Sequence, residues 1–450
     1  MQTLSDERIH LEQLMSTTDR RDFLKTAGVG VAAIASTSTV SAAPKSAKVV
    51  LGIIGPGGMG MNHVRHLCER DDVTIAWVCD VDESRLAKAA EHVKSTSNNP
   101  NVRSTNDLRH VLDDPAVDAV FIATPDHWHA PAAILSLNAG KHVYVEKPCC
   151  HNIREGRLMA DAVERSGKLL QVGTQSRSTE FVAEAIQRIR EGEIGEVLVA
   201  KAWNSQRRGS IGKSQPTNPP EGLDFDTWVG PAPMVPFQSN LLHSIWRWWY
   251  AFGCGDLGND GVHDLDVALW GLNPTTHPER VTCLGGKYYF DDDQQFPDTQ
   301  YAVCEYAVDG SATRKKQLIF EQRIWSPYRQ EMYENGAAYY GTDGYLVMGH
   351  TTGWRLYKPK DKLVAERTGK ADLVAHHDNF LNCVRGDEDR LNADIRAGHL
   401  SATVVHLANI AARTRSVLEF DTENETITND TQGESLVARQ YREGHWAVPG

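Results

Sequence analysis

Apolar residues along this chain fall into two patterns that change near Gly195. Before it, short and nearly unbroken apolar runs recur at Val49 to Ile54, Val73 to Cys79, Val117 to Ala123, His142 to Val145 and Leu169 to Val172. Such runs predict strands buried on both faces. Between them the spacing is helical. Met61, Val64, Leu67 and Cys68 share one helix face, and Ser84 to Val93 forms a second candidate. Thr105 is placed to cap a short helix through Leu112, Pro131 to open the next with Gly140 closing it, and Asn152 to cap a helix running to Ser166 before Gly167. Strands alternating with helices predict an α/β fold, a doubly wound parallel sheet whose ligands sit beyond the carboxyl ends of the strands. Gly55, Asp80, Thr124, Lys147 and Gln175 all stand at such ends.

Beyond Gly195 the apolar positions alternate, as in Val197 to Ala202, Tyr301 to Val308, Gln317 to Ile324 and Tyr345 to Met348, with Gly341-Thr342-Asp343-Gly344 as a hairpin turn. Alternation leaves one face wet and predicts an open, mostly antiparallel sheet in an α+β domain. Ser205 to Asn240, rich in Gly, Pro, Ser and Asn, reads as a long functional loop. Two late segments, Val374 to Arg385 and Asp394 to Thr414, have the periodicity of helices that pack back on the core. The expected division is a leader and linker over 1–45, a nucleotide-binding domain over 46–175 and a substrate and oligomerisation domain over 176–450.

The first apolar run ends in Gly55-Pro56-Gly57-Gly58-Met59-Gly60, a G-x-G-x-x-G between strand and helix. The first glycine allows the bend, the second lets backbone approach a pyrophosphate, and the third lets helix pack on strand. The following helix N-terminus offers free N–H groups to phosphates. The second strand ends at Asp80, twenty positions after Gly60, where a carboxylate accepts hydrogen bonds from ribose hydroxyls. Val81 follows rather than an arginine, so no cation awaits a 2′-phosphate and NAD is favoured over NADP.

A net charge of −12, with no basic patch interleaved with aromatics, excludes a nucleic-acid surface. The eight cysteines show no metal spacing, so no metal is expected, and the adjacent Cys149 and Cys150 read as buried small residues. Near the start, Asp19-Arg20-Arg21-Asp22-Phe23-Leu24-Lys25 precedes a mildly apolar run and Val40-Ser41-Ala42. That order reads as a twin-arginine signal, implying the twin-arginine export machinery as a partner and a periplasmic or exported destination. Such export carries folded proteins, which suits a cofactor that dissociates slowly and is regenerated in place.

With Gly55–Gly60, Thr124-Pro125 to His129, Glu146-Lys147-Pro148 and the stretch GDLGNDGVHDLD from Gly255 to Asp266, the chain resembles the glucose–fructose oxidoreductase/inositol dehydrogenase/rhizopine catabolism (Gfo/Idh/MocA) family over essentially its whole mature length. The resemblance implies NAD(P)-dependent chemistry on sugars or polyols and a second-domain sheet that often mediates homo-oligomerisation. It places Lys147 between nicotinamide and substrate, His263 as acid/base, and His129 as a structural residue at a helix start. Cofactor contacts are expected from Gly55, Gly57, Gly58, Met59, Gly60, Asp80, Thr124, Pro125, His127, Glu146, Lys147 and Gln175. Substrate contacts are expected from Arg177, Trp246, Arg247, Asn259 and His263, flat aromatics beside a cation suiting a sugar face. An imidazole is suited to take a hydroxyl proton near neutrality, and a lysine ammonium stabilises a developing alkoxide. One departure stands out. Where the family commonly has an Asp four residues before this His, the chain has Asn259, which cannot carry a proton, and Asp260 is turned about 100° from it on a regular helix. Three functions remain open: a sugar oxidoreductase with tightly bound nicotinamide, a glycoside hydrolase working by transient oxidation and elimination, and a nucleotide-bound sugar binder.

Overall fold

The computed structural model describes residues 48–449 apart from 98, 309, 310 and 327. The twin-arginine stretch lies outside the described residues. The first sheet contains β1 (Val49–Ile54), β2 (Val73–Cys79), β3 (Arg103–Thr105), β4 (Ala119–Ile122), β5 (His142–Val145) and β6 (Leu170–Val172). Their order is β3-β2-β1-β4-β5-β6, every pair parallel. The interleaved helices are α1 (Gly58–Cys68), α2 (Glu83–Thr96), α3 (Leu108–Leu112), α4 (Asp126–Asn138) and α5 (Ile153–Ser166). Helices α1 and α2 pack on one face of the sheet and α3, α4 and α5 on the other. Asn152 caps α5, its Oδ1 accepting from Glu155 N–H at 3.0 Å, and Gly167 ends it at φ 65°.

Two local expectations are corrected. Thr105 ends β3, and Asp107 caps α3 by accepting from Arg109 N–H. The edge strand β3 has two exposed residues of three, so no apolar run announced it. Pro131 does not open α4 but sits inside it. A helical proline cannot donate to the carbonyl four residues back. That acceptor, His127 O, instead takes a hydrogen bond from Arg439 Nη2 at 2.6 Å.

The rest comprises α6 (Glu180–Arg190), β7 (Val197–Asn204), α7 (Phe225–Val229), α8 (Val262–Leu272), β8 (Arg280–Gly286), β9 (Thr299–Val308), β10 (Ser311–Arg323), β11 (Asn335–Gly341), β12 (Gly344–Gly349), β13 (Gly353–Lys358), β14 (Lys362–Thr368), α9 (Leu373–Arg385), α10 (Ile395–Thr414), β15 (Leu418–Asp421), β16 (Thr426–Ile427) and α11 (Thr431–Glu434). Its ten strands run β14-β13-β12-β11-β7-β10-β9-β8-β15-β16, antiparallel except for β7 beside β10. One face is sealed by α6, α8 and α10 around Tyr339, Phe320 and Leu265. The two late helices do return to the first sheet. Phe380 and Leu381 of α9 join Leu51, Ile53 and Phe121, while Ala402 of α10 joins the opposite layer.

Candidate active site

A cleft of about 500 Å³ opens along the carboxyl ends of β1, β2, β4 and β5. At β1 the glycine turn is shaped by sterics. Gly55 sits at φ 81°, and a Cβ on Gly60 would collide with the Gly55 carbonyl, so strand and helix meet only without side chains there. Gly55, Gly57, Gly58 and Met59 line the cleft, and Gly60 lies beneath them as the packing contact.

Asp80 reaches the cleft from the end of β2, its Oδ1 accepting the Asp82 N–H at 3.0 Å. Burial pushes its carboxyl up to about 6. A cation is nearby after all, supplied not at position 81 but by Arg85 one helical turn into α2. Its guanidinium lies against Gly57 and close enough to Asp80 to favour that carboxylate. The 205–250 loop closes this end of the cleft. Gly222 O accepts from Glu83 N–H, Asp224 N–H donates to Val81 O, and His243 Nε2 meets Asp82 Oδ2 at 3.0 Å. Leu223, Thr227, Trp228 and, from the chain end, Trp446 complete the wall.

At the other end Thr124, Pro125, Glu146, Lys147, Gln175, Trp246, Arg247, Asn259 and His263 all line the cleft, as expected. Glu146 Oε1 is shared between His63 Nε2 (3.0 Å) and Gln175 Nε2 (3.0 Å). Burial opposes its ionisation, yet His63 and Lys147 outweigh it and its pKa lies below the ordinary value. Lys147 Nζ donates to the Asn259 carbonyl at 2.5 Å, which fixes the ammonium between the two domains' contributions. His129 is anchored between the Pro148 and Thr124 carbonyls, at 2.7 and 2.9 Å, a structural tie between the ends of β5 and β4.

Besides Gly60, two expected contacts lie outside the cleft. His127 is fully buried, its Nε2 against the Trp228 carbonyl, because α4 turns it away from the ligand side. Arg177 grips Asp266 through Nε (2.7 Å) and Nη2 (2.9 Å) and stacks over Trp270, so its charge is spent inside the fold.

The segment Leu257–Gly261 is a π-helical turn leading into α8. Both Asn259 and Asp260 nevertheless line the cleft, side by side. Asn259 is held as a bridge, its Nδ2 donating to Asp256 (2.9 Å) and its Oδ1 accepting from Arg247 Nε (2.8 Å). Asp260 pairs with Arg208. Burial raises its pKa, but Lys147 and Arg208 prevail and keep it an ionised carboxylate. His263 is held neutral, well below its ordinary pKa, by burial and then by Lys147 and His350, and its Nδ1 has no partner among the described residues. His350 stands edge-on to it at 5.1 Å and bonds Asp264 at 3.0 Å.

Asp126, Arg85, Asp260, Trp228, His243 and Trp446 were not singled out as site residues by sequence reasoning. Of these, Asp260 was readable beside Asn259 but set aside, and Asp126 carried a usable signal as an acid directly after the Thr-Pro at a strand end; burial raises its pKa.

Residues 49–174 match the Gfo/Idh/MocA oxidoreductase family model for an NAD-binding Rossmann fold, and 199–307 with 340–448 match that family's C-terminal alpha/beta domain. Among curated relatives, a glycosyl hydrolase family 109 protein of Shewanella baltica is 31% identical over 211 residues, 42% of this chain and 46% of the relative. An alpha-N-acetylgalactosaminidase of Shewanella oneidensis is 32% identical over the same shares. The chain thus spans about half the length of these relatives. Among solved structures, a levoglucosan dehydrogenase with NADH superposes at TM-score 0.63 and 20% identity, covering 83% of this chain and 99% of that one. The WlbA dehydrogenase of Bordetella pertussis, solved with NADH and UDP-GlcNAcA, gives 0.62 and 19% over the same shares. Glycine cradle, helix N-terminus and Asp80 carboxylate together fit NAD.

Proposed function

Since the chain belongs to the Gfo/Idh/MocA oxidoreductase family, we propose that it moves hydride between a secondary hydroxyl of a carbohydrate and tightly held NAD. The observation that carries this reading is the convergence of Lys147, His263 and Asp260 at the far end of a cleft that begins with the glycine turn and Asp80. Bound NAD supplies the hydride acceptor. The Lys147 ammonium donates to the reacting hydroxyl and stabilises the alkoxide as it forms. Neutral His263 takes the hydroxyl proton, and the ionised Asp260 carboxylate, a charge Asn259 cannot supply, favours the Lys147 ammonium in the same cleft. Trp246, with Arg247 stacked on it at 4.3 Å, offers the sugar a flat apolar face and a cation. The levoglucosan and aldose named for two structural neighbours support a carbohydrate substrate. Arg20 and Arg21 in their sequence context support twin-arginine export to the periplasm.

A second reading draws on the glycosyl hydrolase relatives and on Asp126, a buried carboxyl of raised pKa in the same cleft. Transient oxidation at C3 acidifies the adjacent C–H, a base removes that proton, the glycosidic bond leaves by elimination, water adds, and the hydride goes back to the sugar. One experiment separates the two. Purified NAD-loaded protein is mixed with free sugars and glycosides, with and without excess NAD, and absorbance is followed at the NADH band. Continuous growth with added NAD supports the oxidoreductase. A rise that stalls or reverses with release of free sugar supports the closed cycle. No change with any carbohydrate overturns both.

A further inference from the structure

A second cavity, of about 480 Å³, lies behind the wall of the first, among α5, α10, residues 250–254 and the 435–440 segment. It shares no lining residue with the NAD cleft. Its lining contains two arginines and neither aspartate nor glutamate. Glu155, packed behind it, balances Arg439 through Nε at 2.8 Å. Arg413 is not balanced. Its guanidinium stacks on the Tyr250 ring at 4.0 Å and, among the described residues, pairs with no carboxylate.

Among the described residues, five further polar atoms of this lining are buried without partners: both ring nitrogens of His151, and three whose neighbours on the same side chains are engaged. Arg439 Nη1 is one, on a side chain only 10% exposed whose Nη2 holds the His127 carbonyl. Asn152 Nδ2 is another; its Oδ1 caps α5. Asn409 Oδ1 is the third, its Nδ2 donating to the Cys254 carbonyl. Buried donors and acceptors are costly to leave unmatched. Here donors outnumber acceptors and one positive charge is uncompensated.

We propose that this cavity binds a small oxyanion, a carboxylate or phosphate carried on a polar body, with Arg413, Arg439 Nη1 and Asn152 Nδ2 donating to it. Asn409 Oδ1 takes a hydroxyl or N–H of the same ligand. An anion fits where a metal ion does not, because the lining offers no carboxylate to balance a metal cation and carries two arginines that repel one.

The test is calorimetric titration of the NAD-loaded protein with inorganic phosphate and, separately, with citrate, each against chloride at matched ionic strength. Loading with NAD removes the glycine turn as a competing phosphate site. One saturable site for either anion is expected, weakened at least tenfold in Arg413→Gln and in Arg439→Lys, and unchanged in Lys147→Ala. Which of the two anions saturates identifies the headgroup. Arg413→Gln is expected to melt like the parent, since only a ring contact is lost. Absence of saturable heat with both anions overturns the proposal, leaving the cavity to water. Unchanged affinity in both arginine variants, or loss of binding in Lys147→Ala, overturns it as well, by placing the anion elsewhere.

Discussion

Replacing Asp80 by Asn separates what that carboxylate does for the ligand from what it costs the fold. The wild-type acid is held at about 6 by burial, against an ordinary 3.8. Keeping it ionised above pH 7 therefore costs about 3 kcal/mol for a wholly buried group, and about 2 kcal/mol after allowing for the side of Asp80 that faces the open cleft. The sign follows from the raised pKa. Below about pH 3 the acid is protonated in folded and unfolded chains alike and no penalty exists. The penalty grows as pH rises and is complete above about 6. Asparagine carries no charge and keeps an oxygen for the Asp82 N–H. NAD-free Asp80→Asn should then melt roughly 2–3 °C above the parent at pH 7.5, from an unfolding entropy of about 2 cal/mol/K per residue, with the difference vanishing near pH 3. NAD affinity should move the other way. Trading a charge-assisted acceptor for an amide costs about 1.5–3 kcal/mol, or roughly ten- to a hundredfold in Kd. Thermal melts across pH and equilibrium NAD titration check both halves. A variant that binds NAD as tightly as the parent, or whose stability gain over the parent is no larger at pH 7.5 than at pH 3, would refute the assignment of Asp80 as a strained ribose acceptor.

Lys147→Ala should lower turnover by about 10²–10⁴-fold, the range for removing an electrostatic or proton-handling group, while NAD stays bound; unchanged single-turnover rates would remove the lysine from the chemistry. Asp260→Asn should slow turnover about ten- to a hundredfold and Asn259→Asp should not raise it, since the π-helical turn already supplies a carboxylate; the reverse ranking in a kcat comparison counts against that role. Arg177→Leu leaves Asp266 buried beside Ser401 without its cation and should destabilise the fold by about 3–5 kcal/mol, read by chemical denaturation. An effect on sugar KM with stability intact would instead return Arg177 to the substrate site.

The first sheet was legible because parallel strands covered on both faces write themselves as apolar runs, and because Asn152 and Gly167 mark α5 with local chemistry. The edge strand β3 and the exposed strand β14 lack that signature, and most of the ten-stranded sheet follows from pairings between distant segments such as β7 with β10. At the site, most residues carried by motifs line the cleft, Gly60 and His127 excepted. Those supplied by tertiary closure did not: Trp228, His243 and Trp446 stand in stretches whose composition says only loop. His127 and Arg177 were misplaced because sequence neighbourhood says nothing about which way a helix turns or which buried acid claims a guanidinium. Asp260 was set aside on the geometry of a regular helix, and the backbone there is not one.

The 205–250 loop gives the family's two-part division an unexpected meaning. The nucleotide domain alone holds the glycine turn and Asp80, but Thr227, Trp228, His243 and Trp446, which wall in the adenosine side, belong to the other part of the chain. Recognition of the dinucleotide is thus joint property of both halves. Exchanging the nucleotide domain between relatives would carry over the phosphate grip and leave behind the walls around the base, so a chimera inherits its cofactor affinity from both parents at once.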